Sequence, residues 1–121
     1  MSDVGRKLSN LRPSWRAIVL LWQEEFSFKI QTIFGLVVIV LSFGLGLSKT
    51  EFLIMILTIG IVLSVEALNT AIEELCDHVT PEEHPNIGRI KDLGSGASLV
   101  IGIAAIIVGL FIFIPHLASF L

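Results

Sequence analysis

Charged residues are scarce in this sequence. They make up 16% of its 121 residues, whereas 54% are hydrophobic, and the mean hydropathy is +0.87. Soluble domains carry about 25% charged residues, so this composition argues against a soluble globular protein. The formal net charge of −3, together with the lack of a basic cluster, also argues against a nucleic-acid-binding protein.

Cysteine is rarer still, and the sequence lacks the common nucleotide-binding loops. Cys76 is the single cysteine, which excludes an internal disulfide and a CxxC metal site. The sequence contains no G-x-x-x-x-G-K-[ST] loop and none of the protein-kinase signatures. A nucleotide site in this chain would therefore not belong to a soluble kinase fold.

Long apolar stretches dominate the sequence instead, over residues 33–47, 52–65 and 97–121. A transmembrane helix needs about 20 mostly apolar residues. The second stretch reaches that length only if it includes the start of the acidic segment that follows. We expect transmembrane helices at about 30–48, 52–73 and 95–119.

The more polar N-terminal residues indicate a helix at the membrane surface. Pro13 suits the first turn of a helix, and apolar residues follow at three- and four-residue spacing, among them Trp15 and Trp22. This pattern predicts an amphipathic helix over about 5–28 that lies in the membrane interface. The predicted fold is an all-α membrane protein, a single domain over residues 1–121 with a surface helix and three transmembrane helices.

Lysine and arginine positions predict the topology. Five of these residues precede the first span, two lie between the second and third spans, and Lys49 alone lies between the first two. We therefore expect the N-terminus and the 74–92 loop in the cytoplasm and the C-terminus outside. No cleavable signal peptide is expected, because the basic N-terminal residues precede no isolated apolar segment.

The segment SVEALNTAIEELCDH, residues 64–78, continues the second apolar stretch with a series of carboxylates. On a helix its oxygen-bearing side chains share one stripe roughly 100° wide. They are Glu66, Asn69, Thr70, Glu73 and Asp77, with Glu74 at the edge. A carboxylate at the bilayer centre costs about 2.5–3.5 kcal/mol, and less toward the interface. The stripe must therefore face a protein partner rather than lipid.

Carboxylates on one stripe suit Mg²⁺, which proteins usually hold together with substrate phosphates. A carboxylate in a drier setting suits a general base. Lys91 and Asp92 could add a phosphate-binding ammonium and a hydrogen-bond acceptor, which would complete a phosphoryl-transfer site. Polar packing in an oligomeric bundle and a proton-coupled relay explain the same spacing, so the spacing alone does not decide among the three.

Two motifs give the chain a resemblance to a known family. EALNTAIE at residues 66–73 is followed, after a short loop, by Lys91-Asp92 and small residues. This pair resembles the bacterial diacylglycerol kinase family of small integral membrane lipid kinases, which includes undecaprenol kinases. The resemblance covers essentially the whole chain, including WQEEFSFK at residues 22–29.

The resemblance implies an ATP- and Mg²⁺-dependent lipid kinase in the bacterial inner membrane, a homotrimer with active sites shared between subunits. Its implied catalytic residues are Glu66 as general base, Asn69 and Lys91. The implied ATP-binding residues are Arg6, Glu25, Glu73, Glu82, Glu83, His84, Lys91 and Asp92. Glu25 and Glu73 are the implied metal ligands. The implied lipid-binding residues are Arg6, Trp15, Trp22, Glu66 and Ser95.

The expected acceptor is diacylglycerol, giving phosphatidic acid, and the alternative is undecaprenol, giving undecaprenyl phosphate. HPN at 84–86 and FIFIP at 111–115 resemble the undecaprenol-using branch, whereas GRIKDLGS at 88–95 resembles the diacylglycerol branch. Pro13, Lys29 and Gln31 stand where one branch has a tyrosine, an arginine and an acidic residue. A small proton-coupled multidrug exporter is the alternative of another class, but that class needs four spans.

Overall fold

The computed structural model describes residues 2–79 and 84–121, and these residues form helices without any strand. In chain order the helices are α1 (Asp3–Ser9), α2 (Leu11–Glu24), α3 (Phe26–Leu45), α4 (Lys49–Val79) and α5 (Pro85–Ala118). Three of them, α3, α4 and α5, are long and apolar enough to cross a membrane. The predicted all-α membrane fold is confirmed.

The N-terminal segment, for which we expected one surface helix, contains two helices and the start of α3. The Ser2 hydroxyl accepts a hydrogen bond from the Gly5 N–H and so caps α1, and Asn10 separates α1 from α2. Pro13 lies in the first turn of α2, where its missing N–H would have no helical partner. Glu25 then has an extended backbone, with φ −103° and ψ 105°, so that α3 begins at Phe26.

Local signals define the turn between α3 and α4. Gly46 follows α3 in the left-handed conformation, with φ 71°, and its N–H bonds to the Ser42 carbonyl. Two residues later, Ser48 and Glu51 exchange hydrogen bonds: the Ser48 N–H donates to the Glu51 carboxylate at 3.0 Å, and the Glu51 N–H donates to the Ser48 hydroxyl at 3.2 Å. This capping box starts α4.

The three long helices pack with α4 in contact with both neighbours. Gly35 brings α3 close to α4, since a Cβ on Gly35 would lie 2.9 Å from Ile59 Cγ2. The contact between α4 and α5 extends from the Asp77–Lys91 ion pair to the Glu51–His116 pair near the other end. The 31 residues of α4 span about 46 Å, which is longer than the hydrocarbon core of a bilayer. One end of α4 therefore projects beyond the membrane.

An apolar groove of about 570 Å³ lies between α3, α4 and α5. Its wall includes Phe34, Leu63 and Ile106, and Gln31 lies at one end. The Gln31 Oε1 atom is buried there without a hydrogen-bond partner among the described residues. Along α4, Leu63 precedes Glu66 by three residues, or about 4.5 Å of helix. The groove therefore ends roughly one helical turn from Glu66.

Candidate functional site

The packing of α4 against α5 positions the acidic stripe of α4. Three contacts follow one another along the pair: Asp77 with Lys91, Asn69 with Gly94, and Glu66 with Ser98. The antiparallel helices thus bring the EALNTAIE segment next to the segment that begins with Lys91-Asp92. The stripe was expected to face protein, and in the structure it packs against α5 of the same chain.

Glu66 is half-buried at the inner end of the stripe. The Ser98 hydroxyl donates a hydrogen bond to Glu66 Oε2 at 3.4 Å. Thr70 is buried, and its hydroxyl donates to the Glu66 backbone carbonyl at 3.0 Å. Glu66 therefore has one carboxylate oxygen held by α5 and lies deeper in the molecule than the exposed Asp77.

Asn69 connects the stripe to Glu73 one turn further along α4. Asn69 Nδ2 donates to Glu73 Oε1 at 3.3 Å, and both residues are half-buried. Asn69 Oδ1 is buried against Gly94 and has no hydrogen-bond partner among the described residues. The amide is thus oriented with its nitrogen toward Glu73 and its oxygen toward α5.

Lys91 forms an ion pair with Asp77 across the two helices. The lysine side chain is 37% exposed and the aspartate side chain 66% exposed. Exposed ion pairs are worth little, because water competes for both charges. The ion pair with Asp77 therefore holds Lys91 only weakly in place.

The stripe provides oxygen ligands suited to a divalent cation. Within the described ranges, the side chains of His, Cys, Asp and Glu do not form a cluster of three or more that could hold a metal ion. Mg²⁺ does not require such a cluster, because one or two protein carboxylates with substrate phosphates and water complete its six ligands. Glu73, oriented by Asn69, fits that role.

Glu25 lies at the junction of α2 and α3, half-buried, in the extended residue that separates the two helices. Its backbone is tied to both, since its N–H donates to the Leu21 carbonyl and its carbonyl accepts from the Lys29 N–H. The described residues show no hydrogen bond from the Glu25 carboxylate. Its position as a second metal ligand beside Glu73 stays a prediction.

The remaining predicted residues lie on α1, α2 and α5. Arg6 pairs with Asp3 on α1, and Trp15 is 67% exposed on α2. Lys29 lies over the Trp22 ring, 5.3 Å from its centroid, which is a cation–π contact. Asp92 and Ser95 are exposed on α5. The structure gives none of these side chains a hydrogen bond to the stripe within the described residues.

His84 begins α5. Its Nδ1 accepts a hydrogen bond from the Asn86 N–H at 3.1 Å, and Pro85 follows at the first helical position. The other two predicted nucleotide-binding residues of this loop, Glu82 and Glu83, lie outside the described residues.

The small residues at 94–98 are typical of close helix packing, but the sequence did not predict the contacts of Gly94, Ser98 and His116 that the structure shows. Gly94 and Ser98 are one turn apart on α5, and each contacts a polar residue of α4. His116 Nε2 lies 3.0 Å from Glu51 Oε1 and joins the same two helices far from the stripe. Ser98 and His116 both interrupt the last apolar stretch. A polar residue inside such a stretch indicates a polar partner on a neighbouring helix.

Comparison with known proteins assigns the arrangement to a family. The model of the prokaryotic diacylglycerol kinase family matches residues 12–113. The match includes the whole stripe, Lys91-Asp92 and the Gly94 and Ser98 contacts. It favours a kinase over a proton-coupled exporter.

Individual relatives agree with this match. The undecaprenol kinase of Bacillus subtilis is 38% identical over 116 residues, which cover 96% of this chain and 94% of the relative. The diacylglycerol kinase of Escherichia coli K12 is 33% identical over 94 residues, covering 78% and 77%. The diacylglycerol kinase of Haemophilus influenzae is 31% identical over 103 residues, covering 85% of each chain. The chain therefore belongs to the prokaryotic diacylglycerol kinase family and is an integral membrane lipid kinase of bacterial type, which uses ATP to phosphorylate an alcohol group of a lipid.

Proposed function

We propose that the enzyme transfers the γ-phosphoryl group of ATP to the hydroxyl of diacylglycerol and so makes phosphatidic acid. The observation that carries the kinase reaction is the position of Glu66, and the choice of diacylglycerol follows the names of the diacylglycerol kinase relatives. The half-buried Glu66 carboxylate is held by Ser98 about one turn from the end of an apolar groove. A lipid tail in the groove would bring its polar end toward a carboxylate that can take a proton.

In this mechanism Glu66 removes the proton from the lipid hydroxyl. The hydroxyl oxygen forms a bond to the γ-phosphorus of ATP, while the bond from that phosphorus to the β,γ-bridging oxygen breaks and ADP leaves. Lys91 turns from Asp77 to the phosphates and neutralises part of their charge. Asn69 keeps the Glu73 carboxylate in a fixed orientation throughout.

The divalent cation of this reaction is Mg²⁺ in our proposal. Glu73 and Glu25 would hold it, and when bound it offsets the negative charge of the ATP phosphates. Arg6, Asp92 and the loop residues Glu82, Glu83 and His84 would complete the nucleotide site. Ser95, Trp15 and Trp22 would lie along the path of the lipid headgroup.

Undecaprenol is the second candidate acceptor. The observation in its favour is the extent of the alignments. The B. subtilis undecaprenol kinase aligns with 96% of this chain, whereas the E. coli diacylglycerol kinase aligns with 78%. Both acceptors have a hydroxyl at the end of long hydrocarbon chains, so the apolar groove fits either.

The test is phosphate transfer from labelled ATP by the purified protein in mixed micelles with Mg²⁺, offering diacylglycerol and undecaprenol in separate reactions. We expect labelled phosphatidic acid at a kcat/KM at least about tenfold above that for undecaprenol, a preference of about 1.4 kcal/mol. The reverse ratio would assign undecaprenol. Labelling of neither lipid would contradict a kinase acting on these acceptors.

We further propose that the protein is a homotrimer with shared active sites, and that its N-terminus and the 74–92 loop face the cytoplasm. Most large apolar residues of α3, α4 and α5 are exposed in the single chain, so lipid and neighbouring copies have to cover them.

A further inference from the structure

We propose that Gly94 is a positioning residue of the kinase reaction, which acts on the Glu73 carboxylate through Asn69. This inference rests on the proposed role of Glu73 as a metal ligand. Gly94 is on α5, whereas Asn69 and Glu73 are on α4. Because Gly94 has no side chain, it leaves room for the Asn69 amide that orients the Glu73 carboxylate.

The geometry at Gly94 leaves space for a hydrogen atom only. Gly94 is buried, and a Cβ built on its backbone overlaps Asn69 Oδ1 and lies 3.4 Å from Asn69 Cγ. The next nearest atom, Ile72 Cδ1, is 4.0 Å away, which is ordinary contact. The obstacle to a larger residue is thus the amide of Asn69 rather than general crowding.

The Asn69 amide transmits this restriction to Glu73. Its Oδ1 is buried against Gly94 and has no hydrogen-bond partner in the described part of the chain, and its Nδ2 donates to Glu73 Oε1 at 3.3 Å. Oxygen and nitrogen belong to one rigid plane, so displacing the oxygen moves the nitrogen. A methyl group on Gly94 would therefore turn or shift the amide and break its bond to Glu73.

The other glycines of α5 do not show this restriction. Among the described residues, a Cβ on Gly88, Gly96, Gly102 or Gly109 would meet no atom of another helix within 4 Å. Alanine at Gly96 therefore measures only the general effect of alanine in α5, whereas the Asn69→Ala background separates a role through the Asn69 amide from close packing at Gly94. Gly96, two residues further along the same helix, is the matched control.

The test is a double-mutant cycle of Gly94→Ala and Asn69→Ala, with Gly96→Ala beside it, on the full-length protein in micelles. Two quantities are measured: the initial rate of lipid phosphorylation, and the affinity for Mn²⁺ in the presence of a non-hydrolysable ATP analogue, followed by electron paramagnetic resonance. Assembly is checked by size-exclusion chromatography.

We expect Gly94→Ala to lower the rate at least about tenfold and to weaken Mn²⁺ binding several-fold, and Gly96→Ala to change either by less than about twofold. In the Asn69→Ala background, Gly94→Ala should change neither quantity further. If Gly94→Ala does not assemble, the double variant should, because the truncated residue 69 makes room for the methyl group.

The proposal would be overturned if Gly94→Ala had the same effect in both backgrounds, left Mn²⁺ affinity unchanged, or failed to assemble in both. The binding cycle does not depend on turnover. If the wild-type protein phosphorylated no lipid, the proposed function would fail while the effect of Gly94 on the cation site would still be measured.

Discussion

At the scale of single residues, the site is defined by a few polar contacts between α4 and α5. The helical spacing of Glu66, Asn69 and Glu73 could be read from the sequence, because residues three and four apart share a face. Their partners Gly94 and Ser98 could not, because spacing along one helix does not give its register against another. The pairing of Lys91 with Asp77 was missed for the same reason.

The charge of Lys91 should be needed for phosphoryl transfer. Lys91→Met should lower the rate of phosphoryl transfer at least about 100-fold, because removing one preorganised charge contact to a transition state commonly costs that much. Lys49→Met, which removes the same charge at the start of α4, should leave the rate within about twofold of wild type. Steady-state kinetics with varied ATP measure both. Equal rates for Lys91→Met and Lys49→Met would exclude Lys91 from the phosphate site.

At the scale of elements, local sequence signals explain where the helices begin and end. The Ser48 and Glu51 capping box and the left-handed Gly46 separate α3 from α4 without help from distant residues. The division of the N-terminal segment at Asn10 and Glu25 was less visible, since the apolar spacing continues through it. The spacing of apolar residues indicates which face of a helix is apolar, but it does not indicate where one helix ends and the next begins.

Two glycines of the α3 terminus should respond to alanine with opposite signs. Gly46→Ala should lower the free energy of unfolding by about 1 kcal/mol, because its φ of 71° is unfavourable for a residue with a Cβ. Gly44→Ala, inside α3 and with no atom within 4 Å of an added Cβ, should raise it by up to about 1 kcal/mol. Unfolding in micelles with increasing denaturant compares the two. A stabilising effect of Gly46→Ala would contradict the turn geometry.

At the scale of the whole molecule, the single chain has little core. Phe28, Met55, Cys76 and Ile112 are the hydrophobic residues buried among those described, while most apolar side chains of the spans face outward. The sequence predicted such helices from their length and composition. It did not predict the groove, because the groove depends on how three helices diverge.

Subunit mixing tests whether the sites are shared. Glu25→Ala and Glu73→Ala should each abolish activity, because each removes one proposed metal ligand. Co-refolding the two inactive variants should restore part of the activity if the ligands come from neighbouring copies, since some pairs of neighbours then supply both carboxylates. Mixing without refolding is the control. If the co-refolded mixture were completely inactive, either both ligands would come from the same subunit or one of the two residues would not be a metal ligand.

The most direct test of the central claim is the rate of phosphate transfer from ATP to the lipid hydroxyl by Glu66→Gln in micelles. Glu74→Gln, at the exposed edge of the same stripe, is its control. Loss of a general base should lower the rate by about 100-fold or more, with assembly and binding of an ATP analogue unchanged, while Glu74→Gln stays within about twofold of wild type. A near-normal rate for Glu66→Gln would contradict the assignment of Glu66 as the base and, with it, the proposed mechanism.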